Sequence, residues 1–193
     1  MRLRARRAAQ RLHRGVARPD LTGVLLVGGV SSRFGSPKAL ARLNGETLAE
    51  RAWNLLGEAC AERLAVGKAS DEIDLPFKVL DDGTETRAAL AGIVAGLRAA
   101  TTDVSVIVPV DMPRLTADLL LELAAACTSA AAPLTSPLPA AYRKTALPVL
   151  ERRLAGGDLA LHEALAELDA TRLALDETQL KNVNTPDGLR RLG

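Results

Sequence analysis

The chain has 193 residues, 48% hydrophobic and 25% charged, with a formal net charge of +2, which suits one domain with a sizeable core. Residues 1–18 carry seven arginines (Arg2, Arg4, Arg6, Arg7, Arg11, Arg14 and Arg18) and no acid; without them 18 basic residues face 23 acidic ones, a net of −5 from Pro19 onward. Composition excludes a membrane span of about 20 apolar residues, a multi-histidine metal centre (only His13 and His162), a disulfide framework (only Cys60 and Cys127) and a chain of base-stacking aromatics (only Phe34, Trp53, Phe77 and Tyr142).

The elements follow an α/β order. Residues 1–20 read as a basic N-terminal extension, poorly ordered or weakly helical, with Ala5, Ala9, Leu12 and Val16 as its apolar positions; residues 21–193 read as one domain. Val24-Leu25-Leu26-Val27 is a wholly apolar run ending in Gly28-Gly29, the pattern of a strand covered on both faces. Leu48, Ala52, Leu55, Leu56 and Ala59 recur at helical spacing, predicting a helix over 47–60. Short strands are predicted at 63–66 and 77–80, and an Ala/Leu-rich helix at 88–100. Val104 to Val110 is the most β-branched run and ends at Asp111. Thr116 predicts a helix cap, with Asp118 at the positive end of a helix reaching about Cys127. Extended pieces are expected around Leu134 and Ala140, then helices over 145–155 and 158–168 divided by Gly156-Gly157. Thr185-Pro186 opens a last helical turn. The cysteines read as small reduced apolar fillers. Alternating strands and helices predict a three-layer α/β/α, Rossmann-like domain with a mostly parallel sheet.

The stretch from Leu26 to Lys38 carries most of the chemistry. It leaves the first strand where open α/β sheets place ligands. Its glycines allow close approach of backbone to ligand, and Arg33 and Lys38 add two cations, together a site for a polyphosphate. It is not a P-loop, because Lys38 follows Pro37 and precedes Ala39. It lacks the Gly-x-Gly-x-x-Gly dinucleotide spacing, and Gly29-Val30-Ser31-Ser32-Arg33 is no hydrolase elbow. Asp111, where the best strand meets a loop, suits a hard cation such as Mg²⁺; its bland reading is a turn or cap residue. Asp81 and Asp82 follow another strand, with Asp82-Gly83 readable as a turn. Strands ending in Gly28, Asp81 and Asp111 would gather at one sheet edge.

Leu26-Val27-Gly28-Gly29-x-Ser31-x-Arg33-x-Gly35-x-x-Lys38 resembles the opening signature of nucleotidyltransferases, above all the molybdenum cofactor guanylyltransferase (MobA-like) family, with Val27 in place of that family's alanine. Gly45, Val110-Asp111-Met112-Pro113 and Asn182-Val183-Asn184-Thr185-Pro186-Asp187 extend the resemblance from about Thr22 to the C-terminus. It implies that Leu26, Val27, Gly28 and Gly29 contact GTP, that Lys38 meets its phosphates, that Arg33 assists with pyrophosphate, that Asp81 seats the nucleoside and that Asp111 ligates Mg²⁺. Asn184 resembles a polar residue approaching the same pocket. The implied reaction is cytoplasmic transfer of GMP from GTP to molybdopterin, with cofactor-delivery or acceptor proteins as partners and neither nucleic acid nor membrane involved. Ala88-Ala89-Leu90-Ala91-Gly92 departs from the family's Gly-Pro-Leu-x-Gly, and Gly67 stands where some members carry an asparagine. Cytidylyl transfer, another phosphorylated acceptor, or non-catalytic GTP binding are the alternative readings. Tyr142, beside Arg143 and Lys144, could touch a cofactor phosphate, although solvated surface charge is the plainer reading there. Trp53 could border a surface contact, and His162 reads as a packed or rim residue.

Overall fold

The structure, a computed structural model, describes residues 19–28 and 37–192. The expectations for the arginine-rich segment 1–18, and those for Gly29 and Arg33, lie outside the described residues. In chain order the elements are β1 (Leu21–Leu26), a 3₁₀ turn at Lys38–Leu40, β2 (Arg42–Leu43), β3 (Glu46–Thr47), α1 (Leu48–Ala59), β4 (Glu62–Gly67), a 3₁₀ turn at Ala69–Asp71, β5 (Val79–Asp81), α2 (Ala89–Ala99) and β6 (Val104–Pro109). The second half adds α3 (Ala117–Ala126), β7 (Ala130–Pro133), β8 (Ala140–Arg143), a 3₁₀ turn at Lys144–Ala146, α4 (Leu147–Gly156), α5 (Leu161–Glu167), β9 (Thr171–Leu173) and α6 (Pro186–Arg190).

Seven strands form one sheet in the order β5-β4-β1-β6-β8-β7-β9. β8 runs antiparallel to both its neighbours, and every other pairing in this sheet is parallel. The chain goes outward from β1 through β4 to β5, then returns to place β6 on the other side of β1. That reversal opens a crevice at the carboxyl ends of the central strands.

β1 is buried along its whole length, as a strand covered on both faces must be. Leu25 and Val27 join one core with Leu48, Leu56, Val108, Leu120 and Leu123, under α1 and α3. Val24 and Leu26 join the other with Leu90, Ile93, Leu97, Leu150 and Leu165, under α2, α4 and α5. The expected three-layer α/β/α fold is the observed one. Local chemistry sets the helix starts: Thr47 and Glu50 of α1 cap each other reciprocally, Thr116 accepts from the Leu119 amide, and Thr185 accepts from the Gly188 amide.

Several expectations differ in detail. The Asn44-Gly45 turn makes a β2–β3 hairpin, both residues at positive φ, a signal the apolar pattern missed. The extended piece expected around Leu134 is β7, which ends just before it at Pro133, and β9 was not expected. Tyr142 is fully buried in the α2 side of the core, so its ring offers no surface for a ligand phosphate; Arg143 is partly exposed and pairs with Asp103, as the plainer reading of solvated surface charge expects. His162 is exposed rather than packed, beside Glu163. Trp53 stacks on Phe77 with ring centroids 4.2 Å apart and lies under the Arg63 guanidinium. Cys60 and Cys127 are buried, and burial pushes the Cys127 thiol up to about 11. Among the described residues no helix is long and apolar enough to cross a membrane.

Two helices lie against β1 where side chains are missing. A Cβ on Gly23 would come within 2.7 Å of Leu56 of α1, and one on Gly96 of α2 within 2.6 Å of Val24 Cγ1. Val24 is β-branched and fully buried, so it cannot yield. In Gly96→Ala a gain of about 1 kcal/mol in helix propensity meets an overpacking cost of about 1–3 kcal/mol. The expected result is a lowered thermal midpoint; an unchanged or raised one would show that α2 can lift off β1 freely.

Candidate active site

At the carboxyl edge of the sheet a cavity of about 650 Å³ opens between the ends of β1, β4 and β6. Leu26 and Gly28 line it from β1, Val66, Gly67 and Lys68 from β4, and Pro109, Val110 and Asp111 from β6. The start of α2 closes another side through Ala88, Ala89 and Gly92, and Leu138 and Asn184 complete the wall. Among the described residues, a Cβ on Gly28 would meet nothing closer than Gly67 Cα at 3.7 Å, so towards them there is room beside the cavity.

Three of the residues singled out from sequence meet here. The Lys38 ammonium donates to Asp111 Oδ2 at 3.2 Å and to Asn184 Oδ1 at 2.9 Å, joining positions 146 apart in the chain. Each is held from behind. Ala39 beside Lys38 is buried, and the turn closes through the Ala41 amide on the Lys38 carbonyl. The Asp111 carbonyl accepts from the Val183 amide at 2.7 Å, and Arg51 of α1 donates to the Pro113 carbonyl at 2.8 Å. The Val183 bond also seats Asn184, and the Thr185 cap starts α6 directly after it. The Lys38 and Asp111 side chains are 15% and 20% exposed, enough for a ligand to reach them and little enough to keep their attraction effective.

The other acidic pair divides. Asp81 does not line the cavity; its carboxylate accepts from the backbone amides of Ala69 at 2.6 Å and Gly83 at 2.7 Å. Those amides, outweighing slight desolvation and helped by Lys68, hold its carboxyl below the ordinary value. Asp82 does sit in the turn read from sequence, with Gly83 at positive φ and the Thr84 amide donating to its carboxylate, but it also lines the cavity and pairs with Lys68 at 2.7 Å. Arg87 also lines the cavity and reaches Asp71 at 2.8 Å. Sequence reasoning missed Lys68, Asp82 and Arg87 as wall residues. A cation directly after a strand and another just before a helix were the available signals. Arg172 of β9 holds the segment that leads to Leu138, its guanidinium donating to the Pro133 carbonyl at 2.5 Å and the Leu134 carbonyl at 3.1 Å.

The arrangement suits an anionic ligand with an apolar portion: oriented cations at the sheet edge beside a wall of Leu26, Val66 and Leu138. The sequence model of the MobA-like NTP transferase domain matches residues 23–174. A probable molybdenum cofactor guanylyltransferase of Chloroflexus aggregans is 34% identical, covering 88% of this chain and 92% of that protein. One from Rhodopirellula baltica is 31% identical, covering 90% and 92%. Among solved structures, molybdopterin-guanine dinucleotide biosynthesis protein A from Archaeoglobus fulgidus superposes with a TM-score of 0.75 at 25% identity, over 88% of this chain and 95% of that one.

Because Asp81 is held below its ordinary pKa, its contribution to stability is present above the unfolded carboxylate value, about 4, and is lost as pH falls through the folded value. Asp81→Asn is expected to lower the thermal midpoint at pH 7, with the gap to the wild type narrowing as pH falls below the unfolded carboxylate value. A gap that does not narrow with falling pH would mean the two backbone amides are not what the carboxylate stabilises.

Proposed function

The chain belongs to the MobA-like NTP transferase family, and on that premise we propose that it transfers GMP from GTP to the terminal phosphate of molybdopterin. An oxygen of the acceptor phosphate attacks the α-phosphorus of GTP. The bond from that phosphorus to the oxygen bridging the β-phosphate breaks, and pyrophosphate leaves carrying the electron pair. The observation that carries this reading is the junction of Lys38, Asp111 and Asn184 beside Gly28, in a cavity large enough for a nucleoside triphosphate.

The acceptor brings its own nucleophile, so the protein need not form a covalent intermediate. Its work is alignment and neutralisation of charge as it moves onto the leaving group. Lys38 donates to phosphate oxygens, oriented by the amide oxygen of Asn184. Leu26 and the backbone of Val27, Gly28 and Gly29 would border the nucleotide, the Val27 side chain being buried in the core, and Arg33 in the same loop would meet pyrophosphate. Of the two adjacent acids, Asp82 is the better candidate to seat the nucleoside, with Asp81 shaping the turn beneath it.

The residues also fit Mg²⁺. Asp111 Oδ2 and Asn184 Oδ1 already hold one cation between them, the Lys38 ammonium, and oxygen donors of this kind suit a hard divalent ion. Among the described residues no three acidic, histidine or cysteine side chains cluster, so substrate phosphates would complete its shell. When bound, Mg²⁺ would neutralise phosphate charge. The Lys38 ammonium would then exchange its contact with Asp111 for a phosphate oxygen. The same reading puts the enzyme in the cytoplasm.

Pyrophosphate release with molybdopterin and Mg²⁺ is expected with GTP and far less with CTP, ATP or UTP; equal or greater release with CTP would reassign the base. Lys38→Ala should lower turnover by about 10²–10³-fold, the cost of one donor to developing charge, with little change in thermal midpoint. Parallel loss of both would deny it a catalytic role. Removing residues 1–18 should leave turnover unchanged, since the family match begins after them; a collapse would make the arginine-rich segment part of the enzyme's working surface.

A further inference from the structure

We propose that Lys68 is a positioning residue: it pins one oxygen of Asp82 so that the other reads the hydrogen-bond donors of the guanine edge. The inference rests on the GTP reading above and extends it to how the base is chosen.

Lys68 follows the last residue of β4, and its ammonium donates to Asp82 Oδ1 at 2.7 Å, to Thr84 Oγ1 at 3.1 Å and to the Thr84 carbonyl. An ammonium has three donors, and these three acceptors use them. Lys68 is therefore not a second phosphate-binding lysine like Lys38, although both line the same cavity. Asp82 Oδ1 also accepts from the Thr84 amide at 3.0 Å and the Thr84 hydroxyl at 3.2 Å. Its backbone amide is tied to the Gly67 carbonyl at 2.9 Å. One carboxylate oxygen is thus saturated and fixed. Among the described residues nothing donates to the other, Oδ2.

The two side chains are only 9% and 6% exposed. Burying an ion pair costs desolvation that a hydrophobic pair of similar size would not, so this pair is better explained by the geometry it holds than by stability. The wall beside it is apolar. Leu26, Val66 and Gly92 line it, and Gly67 cannot carry a side chain, because its Cβ would stand 2.9 Å from Val27 Cγ2 and 3.3 Å from Val79 Cγ1. An apolar wall with an acceptor-only oxygen at its margin suits a base whose edge offers N–H groups. Guanine presents adjacent donors at N1 and N2. Adenine presents its amine beside the acceptor N1, whose lone pair would face the carboxylate.

Equilibrium binding of GTP, ITP, XTP and dGTP to the full chain with Mg²⁺ tests this, with thermal midpoints as the fold control. The wild type should bind GTP about ten- to a hundredfold more tightly than ITP, which lacks the 2-amino donor. In Asp82→Asn, Lys68 keeps the amide oxygen in the pinned position and turns the amide N–H₂ toward the cavity. That variant should disfavour GTP and favour XTP, whose 2-oxo group is an acceptor. Adding Lys68→Met removes the strongest of the donors that hold the amide oxygen, leaving those of Thr84, and should reduce the gain for XTP. Lys68→Met alone should weaken the preference for GTP over ITP; if it does not fold, Asp82→Asn carries the test by itself. A folded Asp82→Asn protein with unchanged GTP, ITP and XTP ratios overturns the inference. So does a variant that loses only the distinction between GTP and dGTP, which would put Asp82 on the ribose. A wild type that binds no GTP sinks the transferase reading and this inference with it; selective GTP binding that survives both substitutions sinks the inference alone.

Discussion

The close approach of α1 and α2 to β1 is the constraint on which the rest of the structure depends. Gly23 gives up its side chain to Leu56 from one face, and Gly96 gives up its own to Val24 from the other. With β1 clamped between two layers and laddered to β4 and β6, its carboxyl end has one possible location. The glycine loop must leave from there. The Asp111 loop must emerge beside it, since Leu26 is in register with Pro109. A shift of either helix would move β1 against its neighbours and disperse the groups that meet at the cavity, because packed interiors transmit displacement rather than absorb it.

Charge at that edge is balanced pair by pair. Lys38 faces Asp111, Lys68 faces Asp82 and Arg87 faces Asp71, so the cavity gathers cations without holding a large uncompensated field. The pairs differ in burial, and with it in role. Lys68–Asp82 is nearly sealed, and breaking such a pair leaves an unmatched buried charge, which costs about 3–5 kcal/mol. Lys38–Asp111 is more open, at 15% and 20% exposed, so a ligand can reach both. Arg87 is 51% exposed, so its pair is screened and adds little to stability. One sheet edge thus carries a sealed pair, a partly open pair and a solvated pair.

Much of this was legible in the chain. The unbroken apolar run of β1, the β-branched run of β6 and the threonine caps at 47, 116 and 185 are local signals with local physical causes. The β2–β3 hairpin was legible too, in Asn44-Gly45, but went unread. β7 was not: Ala130, Ala131 and Ala132 have little preference for a strand, and only pairing with β8 and β9 makes them one. Their small side chains fill a fully buried stretch, which no alternation of apolar and polar residues announces. Tyr142 deceived for a related reason. Its charged neighbours suggested a surface, yet its partner across the ladder is Ser105 at the centre of the sheet, where the ring must be enclosed.

By itself the sequence determined the fold class and the identities of Gly28, Lys38, Asp111 and Asn184, because each sits in a contiguous motif or at the end of a run whose pattern is local. Tertiary structure decided which partners those residues meet and which of two adjacent aspartates faces the cavity. Successive residues leaving a strand point to opposite sides, so one position of register separates Asp81 from Asp82. That register is fixed by the pairing of Gly67 with Asp81 across β4 and β5 and by a lysine fourteen residues upstream. Neither constraint is written in the residues around the two aspartates.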